Sequence, residues 1–286
     1  MKLGIMFSNS GPFADPELST HLAQSAERVG FESLWAVEHV VVPQDYASAY
    51  PYSKSGKMPG GGDLPIPDPF ISLTWMAAHT TRIKLATGIV ILPQRHPLYV
   101  AKEAATLDVL SRGRFILGVG SGWLKEEFDA LGIDFHRRGA RTDEAIVALR
   151  AVWGGAPASF HGKHFSFGPL FSSPRPVQPA GVPIHIGGHS PAAARRAGRL
   201  GDGFFPARAE PEALRDLFRM ASEEAVRAGR DPAKIELSCM GRASLDTVKQ
   251  CQDVGVARLV IAPPAYDREG LTRALDKIGD EVLSRL

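Results

Sequence analysis

Short apolar runs alternate with helical patterns along the whole chain, and this alternation limits the fold more than any other feature. The runs fall at 3–9, 32–39, 83–92, 115–121, 183–188, 202–207, 235–240 and 257–263. Helical patterns fall at 16–29, 69–80, 97–111, 124–153 with a break near Gly132 to His136, 190–200, 211–229, 244–254 and 267–285. Eight strands, each followed by a helix, match the arithmetic of a closed (β/α)8 barrel. The runs are almost continuously apolar, as in Lys84-Leu85-Ala86-Thr87-Gly88-Ile89-Val90-Ile91-Leu92, which suits parallel strands covered on both faces. An open doubly wound sheet is the rival, but it forms more often from five or six units. The expectation is an α/β chain, a TIM barrel, forming a single domain over 1–286.

Local signals support the helices. Asp15-Pro16 is a capping residue followed by proline, Leu18, Leu22, Ala26 and Val29 share a face, and Gly30 is a stop. Two segments break the rhythm. Residues 40–68 follow the second strand and are rich in Pro, Gly and Tyr; residues 154–182 precede the fifth and hold Phe160, Phe165, Phe167 and Phe171. Loops of that length are often functional. The first falls on the face where barrel enzymes hold their sites and reads as a lid, with Tyr46, Tyr50 and Tyr52 over a ligand. The second enters from the opposite face.

Composition narrows the function. A 286-residue chain with 44% hydrophobic and 22% charged residues builds a full core. With 33 basic against 31 acidic residues it has no polyanion-binding field, so nucleic acid is not expected. No apolar run spans a membrane and no signal peptide is visible, so a cytoplasmic protein is expected. Its two cysteines, Cys239 and Cys251, make neither a disulfide framework nor a zinc knuckle, and a reducing compartment is the simpler reading.

Polar residues at the C-terminal strand ends are the candidates for chemistry. Gly187-Gly188-His189-Ser190 followed by Pro191 places two glycines and a helix start after a strand, a setting for phosphate; a tight turn capped by Ser190 explains it equally well. Gly118-Val119-Gly120-Ser121-Gly122-Trp123 is a poor dinucleotide fingerprint, and close packing explains its glycines. His39 ends the second strand beside Glu38 and reads either as a general acid–base or as a hydrogen-bonded structural residue. His185 and His189 stand four apart but straddle a strand end, so no metal site is expected.

These residues resemble the luciferase-like monooxygenase superfamily, especially its actinobacterial branch of F420-dependent oxidoreductases. The carrying segments are Gly30 to His39, Thr87 to Pro93, Arg95-His96-Pro97, Ala101 to Phe115, Gly118 to Trp123, Gly187 to Pro191 and Arg199 to Gly203. The resemblance implies a flavin or deazaflavin at the C-terminal face, a small-molecule substrate, a homodimer and a cis peptide on the third strand, here placed between Gly88 and Ile89. By position it implies that Thr87, Gly88 and Ile89 back the ring. Gly120, Ser121, Gly122 and Trp123 would edge it, and Gly187, Gly188, His189 and Ser190 would meet the phosphate. Glu38 and His39 match the acid and histidine that the family's sugar-phosphate dehydrogenases hold near the reacting ring. The chain departs from those enzymes where Pro43 replaces a tryptophan and Trp123 a glutamate. Arg195, Arg196 and Arg199 would serve a phosphate or be solvated. Two chemistries stay open: hydride transfer with coenzyme F420, or monooxygenation with reduced FMN. A flavin-binding barrel without turnover is a third reading.

Overall fold

The computed structural model describes residues 1–207 and 211–286. Its strands are β1 (Lys2–Ile5), β2 (Ser33–Ala36), β3 (Lys84–Thr87), β4 (Val90–Ile91), β5 (Phe115–Gly120), β6 (Ala158–His161), β7 (Ser166–Leu170), β8 (Ile184–Gly187), β9 (Gly203–Phe205), β10 (Glu236–Met240) and β11 (Arg258–Ile261). Its helices are α1 (Pro16–Val29), α2 (Pro69–Ala78), α3 (Pro97–Leu110), α4 (Lys125–Ala130), α5 (Arg138–Gly154), α6 (Pro191–Leu200), α7 (Pro211–Arg227), α8 (Leu245–Asp253) and α9 (Arg268–Glu281). The ring runs β1-β2-β3-β5-β8-β9-β10-β11 and closes by the parallel pairing of β1 with β11. This is the expected eight-stranded parallel barrel.

Three expectations need correction. The strand expected at 3–9 stops at Ile5, because Phe7 turns the chain at a positive φ of 57°. The strand expected at 32–39 stops at Ala36, and the Asn9 side chain takes over its pairing. Asn9 Oδ1 accepts from Val37 N at 2.8 Å and Nδ2 donates to Val37 O at 2.9 Å. The run at 83–92 divides into β3 and β4 at Gly88–Ile89, whose peptide is cis as expected. In the second insertion the sequence shows no element, yet β6 and β7 form an antiparallel hairpin. Its tip is held by Glu144, which accepts from Lys163 N, His164 N and Phe165 N.

The bore is filled in layers. At the floor, where the strands begin, fully buried Arg258 pairs with Glu32 at 2.7 Å and also with Glu236. Burial opposes the Glu32 charge, but Arg258 outweighs it and draws the carboxyl down to about 2. Above this ionic layer, Met6, Trp35, Ala86, Ile116, Phe205 and Val260 form an apolar plug. Trp35 lies edge-on to Phe205 at 4.9 Å and donates to Ser33 Oγ. The opposite faces of the strands pack outward against the helices in the larger core. The C-terminal ends of the strands form the rim, which carries the residues singled out by the sequence.

Candidate active site

The rim brings together residues far apart in sequence. His39 follows β2, and its side chain is only 11% exposed. Its Nδ1 lies 3.0 Å from Oε2 of Glu127 on α4, a carboxylate with no exposure. Glu127 Oε1 also accepts from Val40 N at 2.7 Å. The adjacent Glu126 accepts from Ala47 N at 2.7 Å, and Lys125 N donates to Ser48 Oγ. The start of α4 therefore clamps the first part of the 40–68 segment. The other end is held by Asn9 Nδ2 donating to Pro67 O at 2.7 Å and Gly11 N donating to Pro65 O at 2.8 Å.

Between these anchors the segment crosses the rim on aromatic contacts. Trp123 sits edge-on to His39, Tyr46 and Tyr50 at 5.8, 5.7 and 5.1 Å. Tyr50 meets Tyr52, and Tyr52 meets His189 at 5.1 Å, beyond β8. Burial pushes the Tyr50 phenol up. The segment thus reaches from the His39 side of the mouth to the turn expected to hold phosphate.

Glu38 faces away from this group. Its Oε1 accepts from Arg95 Nε at 2.7 Å and its Oε2 accepts from Ile91 N, so it fastens the end of β2 to β4. Burial pushes the Glu38 carboxyl up against the pull of Arg95. Burial also opposes the Arg95 charge, but Glu38 and Asp68 prevail and hold the guanidinium firmly protonated.

The Ile89 side chain and two rim glycines form a small platform. A Cβ added at Gly120 would lie 2.8 Å from Ile89 Cδ1, and one at Gly187 would lie 2.5 Å from Ile89 Cγ2. Two glycines on neighbouring strands thus let one isoleucine lie across them. Gly88 is tight against Met6 and Trp35, so the rim rests directly on the apolar plug. Thr87 is fully buried and donates to Gly118 O at 2.7 Å, bracing β3 against β5 from behind. Ser121 is partly exposed beside Gly122, where φ is +76° and a Cβ would meet Phe128 at 2.8 Å.

The β8–α6 turn runs from Gly187 into α6 at Pro191. Gly188 has φ +120°, a conformation that side chains disfavour. Ser190 Oγ accepts from Ala193 N at 3.2 Å and caps α6, leaving the hydroxyl proton to donate. Of the three arginines that follow, Arg196 is bound to Asp143, and Arg199 to Asp143 and Glu224. His185 is separate from His189: it is buried in the barrel floor near Glu236. Desolvation lowers its pKa to about 4, with Arg258 adding to the effect. Among the described residues no cluster of three metal-ligating side chains occurs. Sequence reasoning missed Glu127, since Lys125-Glu126-Glu127 reads as an ordinary solvated helix start.

The rim thus carries Ile89 lying across Gly120 and Gly187, the β8–α6 turn capped by Ser190, and His39 held by Glu127. A family model for luciferase-like monooxygenases matches residues 5–277, and the chain belongs to that family. It is 31% identical over 256 residues to the uncharacterized protein Rv0940c of Mycobacterium tuberculosis, covering 89% of this chain and 88% of the relative. It is 28% identical over 281 residues to 5,10-methylenetetrahydromethanopterin reductase of Methanolobus tindarius, covering 96% of this chain and 76% of the relative. Among solved structures, an F420-dependent secondary alcohol dehydrogenase in complex with an F420–acetone adduct aligns with TM-score 0.80. The identity is 19%, over 99% of this chain and 98% of that one, a likeness of fold.

Proposed function

We propose that the protein is an oxidoreductase that moves a hydride between deazaflavin coenzyme F420 and a small organic substrate. The observation that carries this reading is His39, seated on the buried carboxylate of Glu127 beside Trp123. A relative named F420-dependent glucose-6-phosphate dehydrogenase, from Kineococcus radiotolerans, is 31% identical over 208 residues, covering 71% of this chain and 56% of the relative, and supports the choice of cofactor. The glycine cradle fits the group: the platform made by Ile89, Gly120 and Gly187 would carry the ring, and Gly188, His189 and Ser190 would meet the phosphate. When bound, the deazaflavin supplies a carbon that gives or takes a hydride.

The chain's own residues handle position and protons. Glu127 accepts from Nδ1–H of His39, which fixes the ring and leaves Nε2 for the substrate. His39 Nε2 removes the proton from a substrate hydroxyl, or returns one to a carbonyl oxygen. Trp123 and Tyr50 wall the space beside His39, and the lid excludes water. Glu38 supports the platform through Ile91 and Arg95.

The protein is further read as a cytoplasmic homodimer. Exposed Ile71 and Trp75, one turn apart on α2, offer apolar side chains for such a contact.

Side-by-side titration of the protein with F420 and FMN tests the reading, followed by anaerobic assays of alcohols with oxidised F420. Preferred binding of F420 and oxygen-independent turnover are expected. Preferred binding of FMN, with turnover that needs oxygen, would establish the monooxygenase reading that the family name also allows.

A further inference from the structure

The two cysteines, apart from the rim, meet on the barrel flank. Cys239 lies on β10 and is fully buried; Cys251 lies on α8 and is 4% exposed. Both are free, and their Sγ atoms are 3.3 Å apart. A disulfide requires roughly 2.05 Å, so the sulfurs need to close by little more than an ångström. β10 and α8 are consecutive elements, and the short link between them already holds the two backbones in place. No third metal-ligating side chain joins the pair among the described residues, so it is not a ready metal site.

We propose that Cys239 and Cys251 form a dithiol that hydrogen peroxide, or a comparably small hydroperoxide, converts to an intramolecular disulfide stapling α8 to β10. Cys251 reacts first because it lies nearer solvent. Its thiolate attacks one peroxide oxygen, the O–O bond breaks, hydroxide leaves, and Cys251 becomes a sulfenic acid. The Cys239 thiolate then attacks that sulfur, the S–O bond breaks, a second hydroxide leaves, and the S–S bond forms. The two thiol protons neutralise the two hydroxides, giving two waters. The two thiols lose two electrons in all, which reduce one peroxide. The hydrogen bond between the thiols supports this order: it lowers the pKa of Cys251 and raises that of Cys239. Burial also selects the oxidant, since a bulky disulfide such as oxidised glutathione cannot reach either sulfur in the folded chain.

The test uses the full chain, treated with equimolar hydrogen peroxide, then denatured for thiol titration and mass spectrometry. Because the chain has two cysteines, closure takes the thiol count from two to zero. The intact mass should fall by about 2 Da, consistent with loss of two hydrogens. A peptide joining residues 239 and 251 should appear, dithiothreitol should reverse the change, and oxidised glutathione should leave the folded protein unchanged. Cys251→Ser should leave Cys239 reduced at the same peroxide dose, whereas Cys239→Ser should accumulate oxygen on Cys251. An unchanged thiol count, oxygen added to Cys251 of the wild type without cross-linking, or a disulfide between chains would overturn the proposal. The wild-type mass alone decides if either variant fails to fold.

Discussion

Glu127 Oε2 stands 3.0 Å from His39 Nδ1, and the other oxygen of the same carboxylate holds the backbone of Val40. One buried acid from α4 therefore fixes both the proton-handling candidate and the first step of the lid. His39→Ala is expected to lower turnover by ~10²–10⁴-fold while F420 affinity stays within a few-fold. Turnover within a few-fold of wild type would make His39 structural. Glu127→Gln keeps the size but removes the charge. It should lower kcat by about tenfold and move the pH profile of kcat, which simple loosening of the fold would not do.

The β8–α6 turn should be sensitive to a side chain. Gly188→Val forces a branched residue to φ +120° with its Cβ 3.1 Å from that of Ala193. The strain is roughly 1–3 kcal/mol, enough to distort the turn without unfolding the barrel. F420 affinity should fall at least tenfold on fluorescence titration, with an unchanged far-ultraviolet dichroism spectrum. Unaltered affinity would remove the turn from the cofactor site.

Shortening the lid tests what it covers. Replacing residues 49–62 with a short linker keeps the anchors at Ala47, Ser48, Pro65 and Pro67 but removes Tyr50 and Tyr52. Substrate turnover should suffer more than cofactor affinity. If F420 binding is lost instead, the contact of Tyr52 with His189 marks the lid as a clamp on the cofactor.

The floor of the barrel sets an acid limit on stability. His185 is depressed from 6.5 to about 4 in the fold, so its neutral form is the one that packs. The unfolded chain binds that proton first. The associated stability is complete above pH 6.5, is lost as pH falls towards 4, and amounts to at most about 3 kcal/mol. Glu32 acts in a lower window: its stabilisation is present above 4.5 and lost as pH falls towards 2. Urea midpoints measured from pH 7 to pH 4 should decline for the wild type and decline less for His185→Gln. Parallel curves would assign the acid sensitivity elsewhere.

The homodimer reading is tested at exposed Ile71 and Trp75 of α2. Ile71→Asp with Trp75→Lys should yield a monomer by light scattering while the wild type runs as a dimer. A wild-type monomer would refute the assignment.

The barrel was legible because its strands are buried on both faces and therefore read as apolar runs between amphipathic helices. Their ends were less legible. Asn9 stands in for a strand partner at Val37, and Phe7 bends the chain by a backbone angle that apolarity does not record. The glycines of the rim were visible, but Ile89, the residue they accommodate, drew attention only through family resemblance. Glu127 is 88 positions from its partner His39 in a charged stretch, so only the folded chain joins them. The aromatic residues of 158–170 suggested a loop, while Glu144 makes them a hairpin by gathering three tip amides.

Trp35 and Phe205 close the bore above the ionic floor, so the barrel is a vessel with one door. Traffic through the bore is thereby blocked, and on the proposed function cofactor, substrate and product share the mouth that residues 40–68 cross. Arrival and departure then compete for the same passage. On this geometry an excess of substrate should slow the cofactor's exchange, and the sequence of binding becomes a property of the doorway.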